Sequence, residues 1–242
     1  MDLNILYEDS YLIVCEKPVG MPSQSDKTGD YDLVNCLKNY IFEKENAGAP
    51  YVGLIHRLDR PVGGIMVFAK QQYAAKVLSE QLRTKEMKKK YMAVVTQDLS
   101  DEIGTEKKLV VDYLVKEAKT NLSRISSGKD ARAKKAELFY QVIDTKESGE
   151  IEYQVVSLLE IELLTGRHHQ IRAQLSNKMT GLWGDTKYNS LFTQQKKWSN
   201  VALFAYYLEF LHPKTKKKLR FTLLPDKIPF DQFQEALMKY KV

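Results

Sequence analysis

The 242-residue chain has little cysteine, little histidine and no long apolar run. Its two cysteines, Cys15 and Cys36, cannot form a disulfide framework or a cysteine-based zinc site, and both stand in mostly apolar stretches that predict buried, reduced thiols. The four histidines show neither H-x-x-x-H nor H-x-H spacing, so we expect no metal site. The longest apolar run, Val201 to Leu208, is too short to cross a membrane. An N-terminus that carries acids instead of bases is unlike a secretory signal, and the expected location is cytoplasmic.

The chain is moderately basic. Its 37 Lys+Arg against 31 Asp+Glu leave a net charge of +6, which permits a polyanionic partner without requiring one. The excess lies in three runs, 83–90, 105–135 and 214–220. Each run is either a phosphate-binding surface or an ordinary solvated edge. Residues 105–135 predict a strand, a protruding basic loop with its tip at Asn121–Gly128, and a return strand.

Periodicity predicts an α+β fold with a mixed or mostly antiparallel sheet, because strands outnumber helices and do not alternate regularly with them. Helices are expected over 32–42 (capped by Asp30), 71–84, 167–175 and 230–240. Strands are expected over 5–7, 12–15, 51–58, 65–69, 91–96, 137–144, 153–164, 201–211 and 218–224. No glycine-rich phosphate loop with dinucleotide or P-loop spacing is present.

One polar cluster in an apolar context is His56-Arg57-Leu58-Asp59-Arg60. The arginines do not lose their charge, and neighbouring cations keep a carboxylate ionised even where solvent is scarce. Asp59 therefore suits a nucleophile or a general base, although a helix cap or a surface turn would also place an aspartate here.

Two further clusters combine cations with ring systems. Leu164-Thr-Gly-Arg-His-His-Gln-Ile-Arg172 is dense in donors that could hold a phosphate or a carboxylate, and it could equally be an exposed basic helix start. Lys88-Lys89-Lys90-Tyr91 places an aromatic ring beside bases. Such a ring can stack on an unstacked nucleobase, or it can simply belong to the core.

Together these clusters resemble the motifs of the RluA family of pseudouridine synthases. His56 to Lys70 resembles the family's first signature, Lys90-Tyr91-Met-Ala-Val94 its tyrosine motif, and Leu164 to Arg172 its arginine motif. Gly184-Asp185-Thr-Lys-Tyr188 resembles the Gly-Asp-x-x-Tyr segment that follows, and Ile5 to Lys17-Pro18 fits the family's first strands. The chain departs from the usual pattern at Val62-Gly63-Gly64, at Gln174 and at Gly181–Gly184.

The resemblance implies a single catalytic domain over 1–242, without the RNA-binding S4 domain of many relatives. Its fold would be a bent central sheet, flanked by helices and loops, with a catalytic cleft across it. It further implies isomerisation of uridine to pseudouridine without a metal or an organic cofactor. A monomer is the default expectation for the oligomeric state. The RNA would be large-subunit (23S) rRNA or tRNA.

The resemblance also carries roles to individual residues. Asp59 would be catalytic, Tyr91 would stack on the flipped base, and Arg172 would pair with the aspartate. Nine further polar residues in these clusters are expected to bind substrate: His56, Arg57, Arg60, Lys88, Lys89, Lys90, Arg167, His169 and Gln170.

Three other functions are open to test. A non-catalytic RNA-binding protein could retain the fold, and a pseudouridine assay separates the two. The His-Arg-x-Asp sequence is shared with kinase catalytic loops, but the other kinase motifs are absent from the chain. A glycosidase would need a second acidic partner, and neither of the other two clusters contains an acid.

Overall fold

A computed structural model describes residues 3–26, 28–46, 48–128, 130–194 and 200–241. The chain divides into two compact units. One comprises residues 1–89 and 205–223, and the other comprises 90–204 and 224–242. Both combine strands with helices, which confirms the α+β class. The single catalytic domain stays a prediction. Among the helices described, none is long and apolar enough to cross a membrane.

The regular elements are numbered in chain order. The strands are β1 (Ile5–Glu8), β2 (Leu12–Lys17), β3 (Gly53–Leu54), β4 (Gly63–Ala69), β5 (Lys88–Val95), β6 (Lys108–Glu117), β7 (Leu122–Ser126), β8 (Lys134–Glu147), β9 (Val155–Leu163), β10 (Leu203–Leu211) and β11 (Lys218–Thr222). The helices are α1 (Leu33–Glu45), α2 (Gln72–Arg83), α3 (Gln170–Lys178), α4 (Ser190–Thr193) and α5 (Gln234–Met238). Short 3₁₀ turns cover Ser100–Glu102 and Phe230–Phe233.

Each unit has its own strand order. In the first unit the order is β1-β2-β4-β10, with β3 paired to β4 and β11 paired to β10. In the second unit the order is β5-β9-β8-β6-β7. The pairs β1–β2, β2–β4, β3–β4 and β10–β11 are antiparallel. So are β5–β9, β6–β7, β6–β8 and β8–β9. This agrees with the expected predominance of antiparallel pairing.

Strand β8 alternates buried and more exposed residues. Ala136, Leu138, Tyr140 and Val142 are all buried, and the residues between them are more exposed. Alternation with a period of two is the pattern of a strand that packs one face against a core. The predicted strand over 137–144 is confirmed and is longer than expected at both ends.

The first unit packs α2 against its sheet. Ala74 and Leu78 of the helix share an apolar cluster with Val67 of β4 and Phe210 of β10. The strands approach closely at Gly64, where φ is +125° and a Cβ atom would lie 2.4 Å from the carbonyl oxygen of Ala205. Glycine is therefore required at this position.

Several boundaries differ from the sequence-based expectations. Asp32, not Asp30, caps α1, because its carboxylate accepts a hydrogen bond from the Asn35 amide at 3.1 Å. The predicted strand over 51–58 shrinks to Gly53–Leu54. The predicted helix over 167–175 begins only at Gln170, and the helix predicted over 230–240 is a 3₁₀ turn followed by the short α5.

The protruding loop over 105–135 is also different from the prediction. Its predicted tip contains a strand, β7, which pairs with β6 from Tyr113↔Ser126 to Glu117↔Leu122. Pairing with β6 makes this segment a strand, whereas its turn-forming residues alone predicted a loop.

The cysteines differ in burial. Cys15 is fully buried, and burial raises the pKa of its thiol to about 12. Cys36 is only half-buried, so the prediction of burial was wrong for this residue.

Candidate functional site

The segment that contains Asp59 lies between β3 and β4 of the first unit. The Val62 amide donates to the Asp59 carbonyl at 2.9 Å, which closes a turn around the aspartate. The preceding residue is held on both sides, since the Leu58 amide donates to the Ser23 hydroxyl oxygen at 3.2 Å and that hydroxyl donates to the Leu58 carbonyl at 2.9 Å. Asp59 is half-buried on this turn. Its carboxylate is therefore attached to a stretch of backbone that hydrogen bonds hold in a fixed conformation.

Lys17 stabilises the same turn through hydrogen bonds to backbone carbonyls. Its side chain is completely buried, and its ammonium donates to the carbonyls of Met21 at 2.7 Å and Arg60 at 3.2 Å. The Gly20 amide also donates to the Arg60 carbonyl at 2.8 Å. Lys17 thus joins the loop after β2 to the turn that carries Asp59. The sequence marked this lysine only as the end of the first strands, because the Arg60 carbonyl to which it donates lies 43 residues further along the chain.

Burial gives Lys17 an unusual titration. Desolvation lowers its pKa from 10.5 to about 7, against an opposing effect of Asp59. Because the unfolded chain then binds this proton more tightly, we expect the free energy of unfolding to rise as the pH increases from about 7 to 10.5. A Lys17→Met variant should lack that increment, and urea unfolding across this pH range measures it. A variant curve parallel to that of the wild type would contradict the assignment.

The other polar residues of this segment differ in how buried they are and in whether they already have a polar partner. His56 is buried, and burial, with a further effect of nearby Lys89, lowers its pKa to about 3, so the ring is neutral. Arg60 donates from Nε to the Gly20 carbonyl at 3.0 Å and pairs with Asp30 at 2.6 Å. Arg57 is exposed and has no polar partner in the described part of the chain. It is the residue of this set best placed to take an anion.

Strand β5 carries the tyrosine motif. Tyr91 is 5% exposed and lies opposite Ile161 of β9. Lys90 pairs with the buried Glu160 at 3.0 Å. In the first unit, Lys88 lies 3.9 Å from Glu209, and burial lowers the pKa of Lys89 to about 8. The lysines that precede Tyr91 therefore have three different surroundings.

Arg172, on helix α3 of the second unit, forms a bidentate ion pair with Asp185. Its Nε and one terminal nitrogen each lie 2.7 Å from a different carboxylate oxygen. The arginine side chain is 3% exposed and the aspartate side chain is 0% exposed. Asp185 also accepts from the amides of Lys187 at 3.0 Å and Tyr188 at 3.2 Å. Such a pair fixes the plane of the guanidinium as well as its position.

Tyr188 connects this ion pair to the rest of the unit. The Arg172 guanidinium lies 5.2 Å from the centre of the Tyr188 ring, a cation–π distance. The Ser123 amide of β7 donates to the Tyr188 oxygen at 2.6 Å, and that hydroxyl lies 2.9 Å from Nδ1 of His169. Burial, followed by the effect of Arg172, lowers the pKa of His169 to about 2, so its ring is neutral. His168 stacks on His169 with ring centres 3.8 Å apart.

Gln170 and Arg167 shape the entry to α3. The Gln170 side-chain oxygen accepts from the Arg167 amide at 2.9 Å, and its amide nitrogen donates to the Glu137 carbonyl at 3.0 Å. Arg167 is exposed and donates from Nε to the Lys135 carbonyl at 2.9 Å. Gln174, where the family usually has histidine, donates to Asp112 of β6 at 2.9 Å. The arginine motif is thereby attached to strands β6 and β8.

The predicted residues thus fall into two groups. The first unit brings Asp59 together with Arg60 and adds Lys17. The second brings Arg172 together with His169 and adds Asp185 and Tyr188. Asp185 and Tyr188 were in a recognised segment, but nothing in their spacing identified them as partners of Arg172. The pairing of Arg172 with Asp59 stays a prediction. Within the residues described, no cluster of histidine, cysteine or acidic side chains could hold a metal ion.

Comparisons with known proteins point in one direction. The family model described as RNA pseudouridylate synthase matches residues 11–177. The chain is 32% identical to tRNA pseudouridine synthase C of Haemophilus ducreyi over 96% of both chains. It is 31% identical to ribosomal large subunit pseudouridine synthase C of Buchnera aphidicola, over 97% of this chain and 69% of that protein.

The fold has a solved counterpart. Human RNA pseudouridylate synthase domain containing 4 superimposes with a TM-score of 0.74 at 22% identity, covering 97% of this chain and 93% of that one.

Proposed function

Because the chain belongs to the RNA pseudouridylate synthase family, we propose that Asp59 is the catalytic residue with which it isomerises uridine, and that its substrate is tRNA. The enzyme is an RNA-modifying isomerase. In this reaction the bond between N1 of the base and C1′ of the ribose breaks, the base turns, and a bond between C5 and C1′ forms. C5 loses its proton and N1 gains one, so product and substrate have the same composition and the reaction needs no external donor or acceptor of electrons.

The position of Asp59 is the observation that carries this proposal. It is the only carboxylate in the His56–Arg60 segment, and it stands half-buried on a turn held by backbone hydrogen bonds. A carboxylate is suited to attack a sugar carbon or to accept a proton. A fixed turn keeps it in one place while the base is released, rotated and reattached. Lys17 and Ser23 provide that fixation through their bonds to Arg60 and Leu58.

Tyr91 and Arg172 are proposed to complete the chemistry. A uridine stacked in a helix cannot rotate, so the nucleotide must be flipped out and supported by a flat or apolar surface, which the Tyr91 ring can provide. Arg172 is proposed to pair with the catalytic carboxylate. Its guanidinium is already oriented by Asp185 and Tyr188, so little reorganisation is needed when it meets an anion.

The remaining predicted residues are proposed to bind substrate. Arg57 has the strongest support, since it is exposed and unpaired in the described part of the chain. For His56, Gln170 and Lys90, the contacts seen are with the protein itself. We also propose that the enzyme acts in the cytoplasm as a monomer, without a metal or an organic cofactor.

The choice of tRNA rests on a relative that aligns over nearly its whole length. That protein, from Haemophilus ducreyi, is named a tRNA pseudouridine synthase, and 96% of it is matched. We expect that deleting the gene removes pseudouridine from one or more tRNA positions, which mapping of pseudouridine in total RNA detects. Complementation with the wild-type gene should restore the modification, and the Asp59→Asn gene should not. Loss confined to ribosomal RNA would refute the tRNA assignment, and no loss anywhere would favour the non-catalytic RNA-binding protein.

A further inference from the structure

Ion pairs already occupy part of the basic run over 105–135, although Lys116, Lys119 and Lys134 are exposed and unpaired in the described part of the chain. Arg124 lies 2.8 Å from Glu117 and 3.0 Å from Asp130, and Arg132 lies 2.8 Å from Asp130. The same holds nearer the strand ends, where the ion pairs are Lys108–Glu102 at 2.9 Å and Lys135–Glu137 at 2.7 Å. A cation that is already paired with an acid is partly neutralised, so it attracts a phosphate less strongly than an unpaired cation does. The longest basic run is therefore a weaker anion-binding surface than its composition indicates.

The turn between β10 and β11 is different. Lys214, Lys216 and Lys217 are all exposed, and none of them pairs with an acid in the described part of the chain. We call residues 213–217 the lysine turn. Lys218, the next residue, lies 3.7 Å from Glu209 and is partly neutralised. Three unpaired cations on consecutive or alternate residues concentrate positive charge at one point of the first unit.

A buried histidine gives the lysine turn a fixed shape. Nδ1 of His212 accepts from the amides of Lys214 at 3.2 Å and Thr215 at 3.0 Å. Since Nδ1 accepts, the ring proton is on Nε2, which donates to Asp9 at 2.7 Å. The main chain of His212 closes the turn by accepting from Lys216 at 3.0 Å and donating to Lys217 at 2.8 Å. The lysines consequently project from a preorganised backbone, which reduces the entropic cost of binding.

Helix α2 adds an aromatic ring beside the lysine turn. The buried Gln81 side chain joins the helix to β10, because it donates to the Leu211 carbonyl and accepts from the Leu211 amide, both at 2.8 Å. Near the start of the helix, the Tyr73 hydroxyl lies 3.4 Å from the Pro213 carbonyl. Tyr73 is 53% exposed, so part of its ring is accessible to a ligand. Lys76, also exposed and unpaired among the described residues, lies one helical turn after Tyr73 on the same face.

We propose that the lysine turn, together with Tyr73 and Lys76, binds the RNA substrate at nucleotides other than the one that is isomerised. The lysines contact backbone phosphates, and the Tyr73 ring stacks on an unpaired base or packs on a ribose. This combination of clustered cations and an exposed aromatic ring is typical of surfaces that hold single-stranded RNA. The inference rests on the RNA-modifying activity and is independent of which RNA is the target.

A charge-matched pair of variants of the full chain tests this assignment. One variant carries Lys214→Gln, Lys216→Gln and Lys217→Gln. The control carries Lys116→Gln, Lys119→Gln and Lys134→Gln, which removes the same charge from exposed residues of the 105–135 run. Binding to unmodified transcripts of bulk tRNA and of a 23S rRNA fragment is measured by filter retention over a range of salt concentrations. Using both RNAs keeps the outcome independent of the proposed tRNA target.

The lysine-turn variant should bind both RNAs about tenfold more weakly, with the slope of log Kd against log salt reduced by about 2. The control should change by less than about twofold, and kcat at saturating RNA should be unchanged in both variants. Unaltered binding by the lysine-turn variant, or equal losses in the two variants, would overturn the proposal. Equal losses would mean that only overall charge matters.

Tyr73 is tested separately. Tyr73→Ala should weaken RNA binding about fivefold or more through the loss of stacking, whereas Tyr73→Phe keeps the ring and should stay within about twofold. An equal loss in both variants would assign the effect to the hydroxyl bond with Pro213 and would refute the stacking role. Unchanged binding in both variants would refute it as well. Thermal melting of each variant confirms that α2 is still folded.

Discussion

Replacing Asp59 by asparagine is expected to abolish uridine isomerisation, with a loss of at least about 10³-fold, while the protein stays folded and still binds RNA. Asparagine has nearly the same shape, but it cannot act as a carboxylate nucleophile or base. The turn should survive, because its closing hydrogen bond uses the carbonyl of residue 59 and the Val62 amide. Release of tritium from RNA labelled at C5 of uridine measures the reaction, and filter retention measures binding.

Asp30→Asn is the matched control for this variant. Asp30 is an exposed carboxylate that pairs with Arg60, the residue next to Asp59. Removing its charge perturbs the same segment without touching the proposed catalytic group, so the rate should stay within a few-fold of the wild type. If Asp59→Asn retained more than about a tenth of the wild-type rate, the aspartate would not be the catalytic residue.

The second large effect concerns the buried ion pair between Arg172 and Asp185. Asp185→Asn should lower the free energy of unfolding by about 3 kcal/mol, because it removes the charge of the carboxylate that pairs with both prongs of the guanidinium at a site almost inaccessible to water. Asparagine can still accept hydrogen bonds from the amides of Lys187 and Tyr188. The lost stability therefore comes from removal of the charge, since the turn at 185–188 is kept. Urea unfolding measures the change.

The double variant Arg172→Met/Asp185→Asn separates stability from catalysis. With both charges removed, no uncompensated ion is buried, and most of the lost stability should return. Activity should not return, since the arginine proposed to pair with Asp59 is gone. A stable and active double variant would show that Arg172 has only a structural role. As a surface control, Glu80→Ala breaks an exposed ion pair with Arg83 and should change the free energy of unfolding far less than Asp185→Asn does.

Local patterns predicted the regular elements well where packing agreed with them. Helix α2 was expected over 71–84 and occupies Gln72–Arg83, because its apolar residues lie on one face that packs against the sheet. Strand β8 was predicted by its alternation for the same reason. The predictions failed where a contact distant in sequence decided the structure. Leu122–Ser126 looked like a turn and is a strand, because β6 offers it a hydrogen-bonding partner.

The candidate site shows the same division. The motifs identified Asp59, Tyr91 and Arg172 as candidates for catalysis, since their residue types, order and context are properties of the chain itself. The partner that orients Arg172 could not be found in this way. Asp185 lies thirteen residues further along, after α3, and only the packing of that helix brings the two side chains to 2.7 Å.

The amino-acid sequence by itself determined the family, the type of reaction and the candidate catalytic groups, because these depend on residue identity along the chain. The tertiary structure decided which charges are available. The sequence offered three basic runs as RNA-binding surfaces, 83–90, 105–135 and 214–220, but in the longest of them ion pairs with Glu117 and Asp130 occupy the arginines. The lysine turn remains unpaired in the described part of the chain. The number of charges follows from the sequence, whereas the potential at a surface depends on which of them lie within a few ångströms of an opposite charge.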